Sequence, residues 1–175
     1  MAQTYTQSAI AVAFANNKSM AAIFNGAGSG RVVRIKRIWV LNNQVSAVTG
    51  VLTTFELRRI SADSGGTAIT ATKHDTASEN LPAQVIVNTG GTVTLTSDVA
   101  FRKFMWSNDE PAVSSATNDE LECLVPMNCV FDAATGDTDI EPITLRSGEG
   151  LSVQHTGSSA VGVADVFVEF TLAAT

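Results

Sequence analysis

Apolar and polar residues alternate with a period of two along most of this chain, the pattern of extended strands with one buried face. In "SAIAVAFA", Ile10, Val12 and Phe14 fall on one side and Ala9, Ala11 and Ala13 on the other. "NNK" predicts a turn, and "SMAAIF" a returning strand. "NGAGSG", Asn25 to Gly30, reads as a loop, because positive φ costs glycine little. In "RVVRIKRIWVLNN", Val33, Ile35, Trp39 and Leu41 share a face with Arg37, and Val32, Ile38 and Val40 share the other with Arg34 and Lys36. A strand apolar on both sides is expected to be covered on both, at least partly. "VLTTFELRRI" follows, with Val51, Phe55 and Leu57 together, then a "DSGGT" turn and a short "AIT" strand.

The middle is less regular. "KHDTASENLPA" is polar and holds Pro82, so it reads as a loop, whereas "TVTLTS" alternates cleanly and "FRKFMW" predicts a short strand or turn. "SNDEPAVSSATNDE", Ser107 to Glu120, is rich in turn formers. A helical turn is placed near Asn118–Cys123. "LECLVPM" suits an edge strand, because Pro126 cannot donate to a ladder. Alternation returns at Ile143 and Leu145, breaks at Ser-Gly-Glu-Gly, and resumes at Leu151 and Val153. A tight hairpin or bulge is expected there, at Gly148 and Gly150. Finally, "VGVADVFVEFTLAAT" sets Ala164, Val166, Val168, Phe170 and Leu172 on one face, with Asp165, Glu169, Thr171 and Phe167 on the other. These patterns predict an all-β protein. It is a β-sandwich of jelly-roll type with about 8–10 strands, and its first and last strands are neighbours. Residues 1–175 form one domain with a loop-rich excursion at about 73–141.

Composition narrows the function. With 175 residues the chain can bury a substantial core. Charged residues are sparse at 16%, and the net charge of -6 argues against a nucleic-acid binder or a protein held on an anionic membrane. Cys123 and Cys129 are too far apart for a redox pair and read as small buried thiols. "AFA" at 13–15 resembles a leader cleavage site, but no basic segment precedes it, so no secretory leader is expected. No run approaches the length of a membrane helix. A soluble protein made in a cytoplasm is expected.

The inventory for catalysis is thin. His74, in "KHDT", lacks the companion histidines that a metal-dependent hydrolase needs, and His155 reads as a half-buried strand residue. "GAGSG" has Ala27 where a nucleophile elbow needs glycine and Arg31 where a dinucleotide loop does. No enzyme activity and no cofactor are expected. Asp132, Asp137, Asp139 and Glu141 form an acidic stretch without EF-hand spacing, which leaves calcium binding open. Positive charge is concentrated: Arg31, Arg34, Lys36 and Arg37 are four of 11 basic residues, joined by Arg58 and Arg59. They form either a contact surface for an acidic partner or internal ion pairs with Glu56, Asp165 or Glu169. Phe104 and Trp106, with Met105, offer interface anchors, whereas Trp39 suits strand packing.

"GRVVRIKRIWVLNN", "TTFELRRISADSGGTAITATKHDTASENLPA" and "ITLRSGEGLSV" resemble small virion structural proteins of tailed bacteriophages. The likeness is concentrated in residues 30–83 and 142–155. It implies a β-sandwich that binds the phage shell or tail, commonly as a trimer. The nearest type is the capsid decoration, or cement, protein, which sits on the outer face of the shell and links neighbouring subunits of the major capsid protein. The location implied is the outer capsid surface of the virion, after synthesis in the host bacterial cytoplasm, with no direct contact to nucleic acid or membrane. The interface is then placed at Arg31, Arg34, Lys36, Arg37, Arg58, Arg59, Phe104 and Trp106. The alternative is a minor tail or fibre component that binds a host glycan.

Overall fold

The clean alternation near the C-terminus produces the central strand of the molecule. In the computed structural model, which describes residues 3–43, 51–108, 127–134, 140–157 and 162–174, Val163–Ala174 pairs on one side with Gln3–Ala13 and on the other with Arg31–Asn42. Ala164, Val166, Val168, Phe170 and Leu172 are all buried, as their phase requires.

Numbered along the chain, the strands are β1 (Gln3–Ala13), β2 (Ser19–Asn25), β3 (Arg31–Asn42), β4 (Val51–Ser64), β5 (Thr67–Ala68), β6 (Thr72–Lys73), β7 (Val85–Thr89), β8 (Thr92–Leu95), β9 (Arg102–Asn108), β10 (Met127–Asp132), β11 (Ile143–Leu145), β12 (Glu149–His155) and β13 (Val163–Ala174). No described residue is helical. One sheet has the order β10-β3-β13-β1-β6, with β11 beside β10 on β3. The other has the order β5-β7-β2-β12-β4-β8, with β9 also on β4. The described pairings are antiparallel.

The chain steps between sheets at almost every long strand, with β1 in the first, β2 in the second, β3 in the first and β4 in the second. This interleaving of two Greek keys is jelly-roll topology. The strands exceed the expected eight to ten because β8 and β9 divide one partner position along β4, β10 and β11 divide another along β3, and β5 and β6 are two-residue pairings at the sheet edges.

Between the sheets lie Tyr5, Ile23, Ile35, Ile38, Phe55, Leu57, Leu145, Leu151 and Phe170, among others. Each such side chain contributes about 1.5–3 kcal/mol by leaving water. Tyr5 stacks on Phe170 with ring centroids 5.6 Å apart. Its hydroxyl escapes the core by donating to the Glu79 carbonyl at 2.7 Å.

Several features of the pattern resolve differently from expectation. The outer face of β3 is covered only in part, with Val32 buried and Trp39 and Leu41 half-buried. A bulge where Arg37 opposes Glu169 and Ile35 opposes Phe170 shifts its phase by one residue. Val33, Ile35, Ile38 and Val40 therefore all reach the core, and Trp39 lies only partly buried beneath the Arg37 guanidinium, 6.0 Å from the ring centre. β1 also slips between Ala9 and Val12, with Ala11 at φ 53°. Ala9, Val12 and Phe14 are buried, and Ile10, expected beside Val12, is 54% exposed. Nor is "SMAAIF" a return along β1, because β2 belongs to the opposite sheet.

The turn after β11 is likewise not a hairpin, since β11 and β12 lie in different sheets and residues 146–148 carry the chain across. Gly148 has φ 82° and donates its N–H to the Asn25 carbonyl at 2.7 Å. Gly150 has ordinary φ but no space: a Cβ there would lie 2.6 Å from Ile60 Cγ1 and 2.7 Å from the Ile23 carbonyl oxygen. Cys129, expected to be buried, is exposed on the edge strand β10. Cys123, the helical turn near Asn118–Cys123 and the Pro126 edge residue lie outside the described residues.

Because Gly150 opposes Phe24 on one side and Ile60 on the other, a methyl there must displace the centre of a ladder. Gly150→Ala is expected to destabilise the fold by about 1–3 kcal/mol, measured as a lowered urea midpoint. An unchanged midpoint would contradict this packing.

Candidate functional site

The basic residues do not form one patch. β3 carries Arg31, Arg34, Lys36 and Arg37 in the first sheet, and β4 carries Arg58 and Arg59 in the second. Several are paired within the fold. Arg31 binds Glu79 at 2.9 Å, and Arg37 reaches Asp132 at 3.2 Å and Glu169 at 3.6 Å. Arg58 and Lys103 clamp Glu56, the latter at 3.0 Å. Burial alone would raise the Glu56 carboxyl, but hydrogen bonds from Lys103 and Arg58 outweigh it and hold the group below its ordinary range. Asp165 instead accepts from Ala11 N at 2.6 Å and Asn43 Nδ2 at 2.8 Å, which locks the bulge of β1.

Arg34 is exposed on β3 and has no ion-pair partner among the described residues. It lines an open groove of about 700 Å³ beside the edge strand β11, with Val32, Glu141, Pro142, Thr144, Arg146 and Ala174. Arg146, at the end of β11, also lacks an ion-pair partner among the described residues. Its backbone N–H is held by Glu149 Oε2 at 2.8 Å, which fixes the corner.

Arg59 extends this surface from the opposite sheet. Its Nη1 donates to the Thr144 carbonyl at 3.2 Å and lies 3.7 Å from Glu149, while its guanidinium covers the Phe101 ring at 5.2 Å. Phe101 is 49% exposed and its neighbour Val99 is 78% exposed. Two uncommitted arginines, an apolar floor and an exposed aromatic thus occupy one margin of the sandwich. Arginine's planar fork suits bidentate contact with carboxylates, and exposed apolar side chains beside it suit a protein partner.

Of the expected interface residues, Arg34 and Arg59 belong to this margin. Arg31, Arg37 and Arg58 are engaged in ion pairs. Lys36 is partly buried on β3. Phe104 is partly buried and stacks on Phe55 with centroids 5.6 Å apart, at the border of the core. Trp106 lies on β9, and its side chain is outside the described residues. Arg146 and Val99 were missed, whereas Phe101 begins "FRKFMW", a run whose large side chains suggest a face that meets another subunit. The available signal was an arginine placed before Ser-Gly at a corner and an apolar residue in a segment of turn formers.

Among the described residues no three His, Cys, Asp or Glu side chains are placed to hold a metal ion. Asp132 is committed to Arg37 and to the Ala134 N–H, Glu141 lines the groove, and Asp137 and Asp139 lie outside the described residues. His74 is exposed, 2.8 Å from Thr6 Oγ1.

His155 is fully buried rather than half-buried. It stacks on Phe14 at 4.9 Å and meets the edge of Phe55 at 5.6 Å. Its Nδ1–H donates to the Ala15 carbonyl at 2.8 Å, so Nε2 accepts from the Thr53 hydroxyl. A hydroxyl paired to an imidazole resembles an activated nucleophile, but Thr53 is only 2% exposed and the pair is sealed from solvent. Here it serves to satisfy buried polar atoms. Compared with known proteins, the chain matches no family model, no curated protein and no solved structure.

Burial lowers the His155 pKa below 6.5, and the bond to Ala15 offsets only part of this. The unfolded chain therefore takes up a proton that the fold refuses, and stability falls as pH drops below about 6.5, by at most about 1.4 kcal/mol per pH unit until the folded pKa is reached. Urea midpoints between pH 7.5 and 5 are expected to fall more steeply for the wild-type chain than for His155→Gln. Parallel slopes would show that His155 is not the responsible group.

Proposed function

We propose that this chain is a capsid decoration (cement) protein of a tailed bacteriophage. It binds the outer surface of the shell as a homotrimer and links neighbouring subunits of the major capsid protein. The observation that carries the reading is the margin formed by Arg34, Arg146, Arg59 and Phe101. On a chain of net charge -6, it is a place where Arg34 and Arg146, which have no ion-pair partner among the described residues, stand near Arg59 and exposed apolar surface. Such a surface fits an acidic protein partner.

Two further features support it. The sandwich is closed by its own termini, which suits a rigid peg, and jelly rolls recur among viral structural domains. Fold alone does not assign function, so the likeness of residues 30–83 and 142–155 to phage virion proteins supplies the particle. Cement action follows from summation. Each copy makes modest contacts, and closed symmetry multiplies them over a lattice axis.

Co-sedimentation with empty shells tests the reading. The wild-type protein is expected to pellet with shells, to raise their resistance to heat and low salt, and to have a trimer mass by light scattering. Arg34→Glu with Arg146→Glu is expected to weaken binding at least about tenfold while shifting fold stability by less than about 0.5 kcal/mol. Protein that stays in the supernatant at every concentration would refute the role. Labelling confined to the tail tip of whole particles would assign it to the tail instead.

A further inference from the structure

Asn25 ends β2, and it is the one asparagine in the chain that glycine follows. Such a pair is chemically fragile in an unfolded chain. The backbone nitrogen of the glycine attacks the asparagine side-chain carbon, ammonia leaves, and a five-membered succinimide forms. Water then opens the ring to aspartate, or to isoaspartate with the main chain rerouted through the side chain. Glycine favours the attack because it has no side chain to hinder approach and restricts the backbone least.

The fold shuts each step. Asn25 is fully buried and stands between two ladders, opposite Val85 of β7 and Glu149 of β12. Its extended backbone therefore cannot rotate to bring the Gly26 nitrogen onto the side-chain carbon. That nitrogen donates its hydrogen to the Gln84 carbonyl at 2.8 Å. The leaving group, Nδ2, donates to the carbonyls of Arg31 at 2.8 Å and Leu145 at 3.1 Å.

The same contacts demand both residues. A Cβ on Gly26 would lie 2.8 Å from the Gln84 carbonyl oxygen. At Asn25, two carbonyl oxygens need a donor, which an ionised carboxylate lacks. The Asn25 Oδ1 is itself buried with no donor among the described residues. Neither oxygen of a carboxylate would find a partner there.

We propose that Asn25–Gly26 is a deamidation site gated by folding. It is closed in the native chain, open once β2 leaves its ladders, and irreversible because the product no longer fits. Aspartate would set a buried charge against carbonyl oxygens. Isoaspartate adds a carbon to the main chain at a corner where the Gly148 N–H also holds the Asn25 carbonyl, at 2.7 Å, and it shifts β2 out of register with both neighbours. Prolonged unfolding is thereby converted into permanent loss of the fold. This site is independent of the proposed capsid role.

The test uses the full chain, incubated at mildly alkaline pH either folded or in concentrated urea. Cleavage after Lys18 and Arg31 releases residues 19–31, in which Asn25 is the lone side-chain amide. Mass spectrometry of this peptide therefore reads the site directly. Folded chains react only through opened states, whose populations are about 10⁻³ or lower in stable domains, so deamidation is expected to run at least about a hundredfold faster in urea. Asn25→Asp imitates the product with a normal backbone. At the same pH it is expected to lower the urea midpoint by at least about 1 M, or to yield no folded chain. Comparable rates in the folded and unfolded chain would overturn the gating. An Asn25→Asp chain with the wild-type midpoint would overturn the irreversibility.

Discussion

The pairing of β13 between β1 and β3 is the constraint on which the rest of the molecule depends. It joins the last strand to the first along Gln3↔Leu172 through Ala13↔Val163, and to the third along Arg31↔Ala174 through Asn42↔Ala164. With β13 absent, that sheet loses its centre, and the apolar faces of β1 and β3 have no neighbour to complete the layer over Phe55 and Leu57. Most of this order is non-local, so formation of the sheet waits on the end of the chain, a topology associated with slow folding. The reward is a core closed by the pairing of β1 with β13, although β1 has a neighbour on its outer side only where β6 meets Tyr5 and Thr6.

Keeping that core apolar requires departures from regular pairing. Slips occur between Ala9 and Val12, at Arg37 opposite Glu169, and between Cys129 and Phe131, one in each successive ladder of the same sheet. Each inserts a residue and strengthens the local twist, which helps a sheet wrap over its partner. Polar side chains make the corners equally definite. Asn25 Nδ2 donates to the carbonyls of Arg31 and Leu145 at 2.8 and 3.1 Å, so one buried amide joins two crossings between sheets. Ser19 and Ser152 pair at 2.8 Å inside the second sheet. These bonds add modest net stability, but each leaves a costly orphan if the register slides, so they select one register.

This division explains what was legible beforehand. The all-β class and the two-layer packing follow from period-two alternation, the neighbouring of first and last strands from both being long and apolar, and β13 reads cleanly because Ala164 to Leu172 keep one phase. β3 does not, because a bulge inserts one residue and makes Ile38 and Val40 look as if they faced away from Val33 and Ile35, although all four reach the core. The corner at Ser147–Gly150 misleads for another reason: hairpins and sheet crossings demand the same glycines, and only strand order separates them. At the candidate interface, the charge of Arg34, Arg37 and Arg58 was visible, but whether each is spent internally depends on which strand lies alongside. Glu169 reaches Arg37 only because β13 neighbours β3.

The same logic sets the electrostatics of the proposed attachment. A chain of net charge -6 repels an acidic surface at long range, but charges beyond about 8–10 Å are screened at physiological salt. What a docking partner meets is therefore the local margin, where Arg34 and Arg146 stand with Glu141 and where Arg59 is shared between Glu149, the Thr144 carbonyl and the Phe101 ring. Exposed ion pairs contribute little singly, and one such margin would hold a partner weakly. Rigidity changes that sum. When the margins of several copies are held in fixed relation, each later contact forms at high effective concentration without a further large loss of freedom. The bulges, the buried amide corner and the central C-terminal strand thus bear on attachment as well as stability, because a sandwich that flexed at its corners would forfeit the summation that weak surfaces require.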